Sequence, residues 1–211
     1  MNKKIFKLTF SFVLLISASF AFASPVTVDD VCASLTKHTI TTGNFIQEKT
    51  VPTLKRPLKS TGNFIFYSEG IMWNTIRPIA SNMVVTEKAI IQTSPDGKRS
   101  VISGADSAVF QSIASTISAL FKGNKADLER NFIVSVSDSG STWKMNLVPR
   151  DSTISMVLAS IELGGEIISG DCSFDTMKIA ESGDSTIVYS FIDKVYKEKL
   201  TDEEKAYFSV Q

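Results

Sequence analysis

The single histidine, His38, is the first residue whose side chain could carry out chemistry. An imidazole can act as a general acid or base near neutral pH, but a hydrolase also needs a nucleophile held beside that base. The sequence has many serines and no nucleophile-elbow pattern around them. We therefore interpret His38, which lies between the first predicted helix and the first predicted strand, as a surface residue, and we expect no enzymatic activity.

Acidic side chains near Cys172 form a second group with potential chemistry. Asp171, Asp175 and Glu181 could ligate a cation, but no Cys/His cluster stands at metal-ligand spacing and no glycine-rich phosphate loop is present. A solvated loop accounts for these carboxylates. We expect neither a metal site nor a cofactor.

The N-terminal residues predict export. Three lysines precede an apolar run that ends at Phe20, and Ala21 to Ala23 form a small-x-small cleavage site. The run is too short to span a bilayer comfortably, and no cysteine follows it to accept a lipid anchor. We predict a signal peptide at residues 1–23 and one exported domain at residues 24–211, in the periplasm.

The charge balance argues against a nucleic-acid partner. Lysine plus arginine and aspartate plus glutamate both number 22, so the formal net charge is +0. Removal of the signal peptide would remove three lysines and leave an acidic excess. No basic stripe remains that could follow a phosphate backbone.

The two cysteines, Cys32 and Cys172, would meet an oxidising compartment after export. We predict a structural disulfide between them, which would remove about 4–5 kcal/mol of unfolded-state entropy in the chain-entropy model. The alternative is a pair of unpaired, buried thiols that act as small apolar residues.

The pattern of apolar residues predicts a protein built mainly from strands. Thr27 is placed to cap a short first helix, and Asn124 to cap a helix at residues 125–130. Thr201 and Glu204 stand at capping-box spacing for a terminal helical turn. Alternating runs predict strands at residues 39–51, 59–68, 71–76, 80–87, 89–94, 131–137, 142–149, 153–163, 166–180 and 185–196.

One long helical pattern interrupts these strands, at Ala105 to Lys122, and Gly123 is placed to end it. Strand otherwise follows strand, which favours a meandering antiparallel sheet in a single domain. So many strands are enough for the sheet to curl. We predict a mainly β protein with some α-helix (α+β), in which a curved antiparallel sheet forms an incomplete β-barrel and the long helix covers its mouth.

Curling would turn one face of the sheet into an interior. The alternating positions predicted to line it, with the hairpin tryptophan, are Phe45, Phe64, Phe66, Trp73, Met83, Val85, Met145 and Met156. The apolar stripe of the long helix adds Phe110, Ile113 and Ile117. The pattern is equally consistent with a side-chain-filled core and with a cavity.

Three motifs in order resemble the LolA family of periplasmic lipoprotein carriers, and more closely its LolA-like branch. They are Phe45 and Gln47 in "GNFIQEK", "RPLKSTG" beginning at Arg56, and the hairpin "GIMWNTIRP" that carries Trp73. The resemblance covers Gly43 to roughly Gly97, and strand and helix order extends it loosely over the mature chain.

What the resemblance implies is a monomeric half-barrel whose helical lid closes an apolar cavity for acyl chains. It also implies an inner-membrane donor protein and an outer-membrane acceptor protein as partners, and lipoprotein or lipid acyl chains as ligands. The family's arginine-proline latch before the tryptophan is replaced here by Tyr67 and Ser68, so that latch is not carried over. Two other function classes remain: a scaffold or sensor that binds a protein through the open face of the sheet, and an enzyme.

Overall fold

Alternation of apolar and polar residues builds one continuous antiparallel sheet from most of the chain. The structure is a computed structural model, and it describes residues 25–86, 88–103 and 119–209. The first strands are β1 Ile40–Thr50, β2 Leu58–Tyr67, β3 Gly70–Arg77, β4 Ser81–Thr86, β5 Ala89–Thr93 and β6 Arg99–Ser103. The later strands are β7 Phe132–Ser139, β8 Thr142–Pro149, β9 Leu158–Ile168, β10 Asp171–Cys172, β11 Thr176–Glu181 and β12 Thr186–Lys197.

Helices are short and begin at side chains that cap them. They are α1 Val28–Leu35, α2 Lys125–Asn131, α3 Ser152–Ser155 and α4 Asp202–Phe208, with a further helical turn at residues 119–121. Thr27 and Thr201 form the caps predicted from sequence, each as a capping box with the acidic residue three positions later. Asn124 caps α2 by accepting from the backbone N–H of Asp127.

Gly123 ends the helical turn before α2, as predicted. Its φ is +66°, a left-handed conformation that favours glycine. Its N–H donates to the carbonyl of Leu120 and the N–H of Asn124 donates to that of Ala119. The turn is therefore held at a defined angle to α2.

The sheet has 12 strands in the order β6-β5-β4-β3-β2-β1-β12-β11-β9-β8-β7, with β10 beside β9. Every pairing is antiparallel. Within the described ranges, β6 and β7 each pair with one neighbour only, so the barrel is incomplete. The predicted fold class, an open and curved antiparallel sheet with few helices, is confirmed.

Both faces of the sheet carry buried apolar side chains. Successive residues of β2 separate onto them: Phe64 and Phe66 join the large cluster of the inner face, and Ile65 joins a smaller cluster on the outer face. The outer cluster also contains Ile40, Met72, Val84 and Ile91.

Helix α4 covers the outer cluster, because Tyr207 and Phe208 pack against it. The fit is close at Gly70, where an added Cβ atom would lie 3.2 Å from the ring of Phe208 and 2.5 Å from the carbonyl oxygen of Val85. Helix α4 thus covers the outer apolar face of the sheet, for which the sequence pattern predicts no partner element.

The structure corrects the predicted strands at three places. The predicted strand at residues 166–180 is divided among the end of β9, β10, a loop and β11. Residues 99–103, which lie outside the predicted strands, form β6. Residues 153–155, which the sequence predicts as the start of a strand, belong to α3, because Asp151 accepts hydrogen bonds from the N–H groups of Thr153 and Ile154 and so caps a helical turn. The strand consequently begins only at Leu158.

Candidate functional site

The inner face is an aromatic cluster centred on Phe66. Its ring centroid lies 4.4 Å from that of Phe64, 5.0 Å from Phe191 and 5.6 Å from Phe174. The ring of Phe121, from the helical turn before α2, stacks on Phe66 at 4.8 Å. Each such aromatic pair stabilises the folded state by about 0.5–1.5 kcal/mol beyond the burial of its surface. The cluster therefore holds strand residues, a helical turn and a loop together.

Most predicted lining residues lie in this cluster. Buried members from the predicted set are Phe45, Phe64, Phe66, Trp73, Val85 and Met145, and Met83 packs against them partly buried. Phe110, Ile113 and Ile117 lie outside the described residues, as do the signal peptide and residues 105–118 of the lid helix predicted at Ala105 to Lys122.

Met156 is the lining residue that was placed wrongly. It follows helix α3 as its C-cap and is 70% exposed. The helical turn capped by Asp151 interrupts the alternation that we had extended through Met156 to Leu158. Leu158 itself is the first residue of β9 and is buried.

Sequence reasoning missed Phe174, Tyr189 and Phe191 as members of the inner face. Tyr189 and Phe191 stand two residues apart on β12, so the period of two could have identified both as residues of one face. Phe174 lies in the loop between β10 and β11, where no periodicity applies. Burial raises the pKa of Tyr189 to about 12, so its hydroxyl is neutral at physiological pH.

The inner face closes on a void of about 10 Å³, here called the inner void. Its lining is Leu35, Phe66, Ile71, Trp73, Leu120, Phe121, Leu163, Phe174 and Met177. Trp73 on β3 and Leu163 on β9 are five strands apart in the sheet order, which would separate them by roughly 24 Å in a flat sheet. Because they line one small void, the sheet must curl around it.

A larger pocket opens to solvent beside the inner void. This mouth pocket has a volume of about 200 Å³ and shares Leu35, Phe66, Phe121 and Phe174 with the lining of the inner void. Its other lining residues are Ser34, Lys37, His38, Thr41, Ile168, Asp171, Cys172, Ser173, Lys194 and Tyr196. An apolar floor thus lies beneath a polar rim, and the shared side chains separate the two spaces.

The rim is built from charged and aromatic contacts. Lys37 forms an ion pair with Asp171, and His38 stacks on Tyr196 with ring centroids 3.7 Å apart. Lys194 donates to the Asp175 carboxylate and, at 3.1 Å, to the carbonyl oxygen of Phe174. The rim therefore presents ammonium groups and an imidazole directly above the aromatic floor.

Asp175 anchors the loop that carries Phe174. Its carboxylate accepts from Lys194, from the Ser173 hydroxyl and from the backbone N–H of Glu166. Burial acts to raise the pKa of Asp175, but the hydrogen bonds from Lys194 and Ser173 outweigh it and hold the pKa below its ordinary value.

The backbone of the same loop approaches β9 closely. An added Cβ atom at Gly165 would lie 1.9 Å from the carbonyl oxygen of Ser173, so only glycine fits without a shift of the loop. That oxygen accepts a 2.8 Å hydrogen bond from the indole N–H of Trp143. Phe174 is therefore positioned by contacts on both sides of it.

Cys32 on α1 and Cys172 on β10 lie in contacting elements, where the N–H of Cys172 donates to the hydroxyl of Ser34 at 3.0 Å. Both cysteines are buried and free, so the disulfide predicted from sequence is not formed in this structure. Burial in apolar surroundings raises the pKa of both thiols.

These features define a class of protein. It is an incomplete antiparallel barrel whose sheet curls around an apolar, aromatic interior and whose mouth carries a pocket with a polar rim. A family model described as "Outer membrane lipoprotein carrier protein LolA-like" matches residues 20–177. The chain belongs to this LolA-like family.

Two solved structures resemble the chain in architecture. One, a LolA superfamily protein from Nitrosomonas europaea, is 8% identical with a TM-score of 0.47, over 83% of this chain and 94% of that one. The other, a DUF1329 family protein from Desulfovibrio piger, is 12% identical with a TM-score of 0.47, over 86% of this chain and 95% of that one. No curated protein sequence is significantly similar to the chain.

Across the described ranges, no helix combines the length and apolar character needed to cross a membrane. The same residues contain no group of three or more His, Cys, Asp or Glu side chains that could hold a metal ion.

Proposed function

We propose that this protein is a periplasmic carrier that binds the acyl chains of lipoproteins or lipids in its apolar interior and moves them between membranes. The observation that carries the proposal is that the mouth pocket lies beside the inner void and shares Leu35, Phe66, Phe121 and Phe174 with its lining. Membership of a family described as lipoprotein carriers supports it. A donor protein at the inner membrane and an acceptor at the outer membrane are the partners that this role requires.

The need for such a carrier follows from the cost of exposing acyl chains to water. Each methylene group contributes about 0.8 kcal/mol, so a 16-carbon chain costs on the order of 12 kcal/mol to expose. An interior of phenylalanine, methionine, leucine and isoleucine removes that cost. Methionines such as Met145 and Met177 also adapt to chains of irregular shape.

Both spaces are small in this structure. The mouth pocket of about 200 Å³ and the inner void of about 10 Å³ are both below the roughly 300–1,000 Å³ of typical ligand pockets. Loading therefore requires the side chains that divide the two spaces to move apart. Phe121 and Phe174 are the candidates for this movement, because each is partly buried and belongs to a turn or loop rather than to the sheet.

Binding of an acyl probe tests this proposal. Phe121→Glu places a carboxylate between the mouth pocket and the inner void, where it should reduce the affinity for a fluorescent fatty-acid probe at least tenfold, because an uncompensated charge is costly in apolar surroundings. Ile133→Glu is the matched control, since Ile133 is 53% exposed on the edge strand β7. It should bind the probe as the parent protein does.

Cargo identity requires protein purified without detergent from a Gram-negative periplasm. Native mass spectrometry followed by lipid extraction should reveal a bound lipoprotein, phospholipid or fatty acid. A parent protein that neither carries lipid nor binds acyl probes would contradict the carrier function.

A scaffold or sensor that binds a protein partner is the second candidate function. The filled interior favours it, because an inner void of about 10 Å³ holds no ligand as it stands. Affinity purification from the periplasm distinguishes the two: a stoichiometric protein partner with no co-purified lipid supports the scaffold.

A further inference from the structure

The two tryptophans of the chain are both buried, but their indole N–H groups differ. Trp143 is 1% exposed, and its N–H donates to the carbonyl oxygen of Ser173 at 2.8 Å. Trp73 is 6% exposed, and within the described part of the chain its Nε1 is a buried donor without a hydrogen-bond partner. A buried tryptophan usually finds a partner for this group, so Trp73 is the exception.

A buried water molecule in the adjacent inner void does not supply the missing partner of the Trp73 N–H. The Trp73 side chain lines the inner void, whose volume is about 10 Å³. A buried water needs at least about 10–15 Å³ and two to four polar partners. The other described side chains of the lining are aliphatic, aromatic or thioether groups and offer no strong acceptor. No partner for this donor is therefore found among the described residues.

We propose that Trp73 is the polar anchor of the interior, and that its Nε1–H donates a hydrogen bond to the carbonyl oxygen of an ester-linked or amide-linked acyl chain. This inference rests on the proposed carrier function and adds the chemical group that the cargo presents. Movement of Leu120, Phe121 and Phe174 away from Trp73 would open the space for that carbonyl. In the loaded state the donor is then satisfied by the ligand.

A neutral acceptor fits this position better than a charged one. The described residues that line the inner void include no cation, so a phosphate or carboxylate beside Trp73 would be desolvated without a counter-charge. Ammonium groups lie instead at the mouth pocket, on Lys37 and Lys194, where each is ion-paired with an aspartate. A lipid with its ionised group at the rim, its carbonyl at Trp73 and its hydrocarbon against the phenylalanines would match each part of the site.

Indole NMR of the parent protein tests the proposal directly. The two probes are a palmitoyl ester lysophospholipid and its hexadecyl ether analogue, which lacks only the carbonyl oxygen. With ¹⁵N-labelled protein, the ester should move the Nε1–H signal of Trp73 further downfield than the ether does. The Trp143 signal is the internal control and should respond equally to both probes. Equal shifts of the Trp73 signal with both probes would overturn the proposal.

A conservative substitution supplies the second readout. Trp73→Phe keeps an aromatic ring and removes the donor, so the preference for ester over ether should fall by about 2- to 10-fold, the equivalent of one neutral hydrogen bond. Ile71→Val is the matched control, because Ile71 lines the same void and has no polar side-chain atom. It should leave the ester-to-ether ratio unchanged.

The results of these experiments distinguish a failure of the Trp73 anchor from a failure of the carrier function. If the parent protein binds both probes with equal affinity and Trp73→Phe changes neither, the anchor is refuted and the carrier function stands. If the parent protein binds neither probe nor any fatty acid, the carrier function fails and the anchor fails with it.

Discussion

The ring of Phe121, in the helical turn that precedes α2, stacks on the ring of Phe66 of β2 with centroids 4.8 Å apart and an interplanar angle of 28°. Both rings line the mouth pocket and the inner void. This contact joins a helical element to the sheet at the point where an acyl chain would enter. The first prediction follows from it.

Phe121→Ala should speed the uptake of an acyl probe. Removing the ring takes away the stacked contact and widens the passage, so the association rate constant should rise several-fold. Stability should fall by about 1–3 kcal/mol, less than the usual loss for a fully buried phenylalanine, because Phe121 is only partly buried. Stopped-flow fluorescence with a fatty-acid probe measures the rate, and urea denaturation measures the stability.

Ile154→Ala is the control for that experiment. Ile154 is buried in α3 and lines neither the mouth pocket nor the inner void. It should lose comparable stability with no change in uptake rate. Equal acceleration by both variants would show that general loosening, and not the Phe66 contact, controls entry.

Stability should depend on pH through Asp175. Its folded-state pKa lies below its ordinary value, so its contribution is present above the unfolded pKa of about 3.9 and is lost as pH falls through the folded pKa. Asp175→Asn should lower the free energy of unfolding at pH 7 by about 1–3 kcal/mol, the range for a hydrogen-bonded charged group. Urea denaturation at pH 7 and at pH 3 should show that the difference from the parent shrinks in acid.

Asp202→Asn provides the comparison for that measurement. Asp202 also pairs with a lysine, Lys205, but its side chain is 99% exposed. An exposed pair contributes little, so this variant should match the parent at both pH values. A difference for Asp175→Asn that is the same at pH 7 and pH 3 would contradict the role assigned to its carboxylate.

Both thiols should react slowly in the native protein. Cys32 and Cys172 are buried, and burial raises their pKa, so little thiolate is available or accessible at pH 8. Alkylation with iodoacetamide should be slow before denaturation, and two thiols per chain should appear after it. Denaturation without reductant that releases no thiols would show that the native protein carries the disulfide predicted from sequence.

Helix α4 should stabilise the sheet from its outer side. Phe208→Ala removes a ring that packs on the outer cluster beside Gly70 and should lower stability by about 1–2 kcal/mol, since the ring is partly buried. It should also increase the binding of a dye that reports exposed apolar surface. Glu203→Ala, an exposed change in the same helix, should do neither. Unchanged stability in Phe208→Ala would mean that α4 is dispensable to the fold.

Local features of this chain could be predicted from its sequence because short-range physics controls them. The capping boxes at Thr27 and Thr201 and the helix end at Gly123 each depend on residues within one or two turns of the chain. Strand alternation likewise identified Phe64 and Phe66 as residues of one face. The three motifs around Trp73 indicated the family, which the family model confirms.

Other features were decided by contacts between segments far apart in the sequence. Strand register aligns Asn44, Asn63, Asn74 and Asn82 in one row across β1 to β4, although nothing in the spacing of these residues predicts it. Phe174, in a loop without periodicity, enters the interior because Asp175, Lys194 and Gly165 position that loop. Met156 leaves the interior because one capping residue, Asp151, prevails over the alternation around it.

The volume of the interior is the property that only the tertiary structure could decide. Alternation identifies which side chains face inward, but the space left between them depends on how far the sheet curls and on which rings meet across it. Here the curl brings Trp73 of β3 and Leu163 of β9 to one void of about 10 Å³. It also leaves the N–H of Trp73 without a partner while Trp143 finds one in Ser173. Both outcomes depend on distances between strands that are remote in sequence, because hydrogen bonding and packing act on atoms in space and not on their order along the chain.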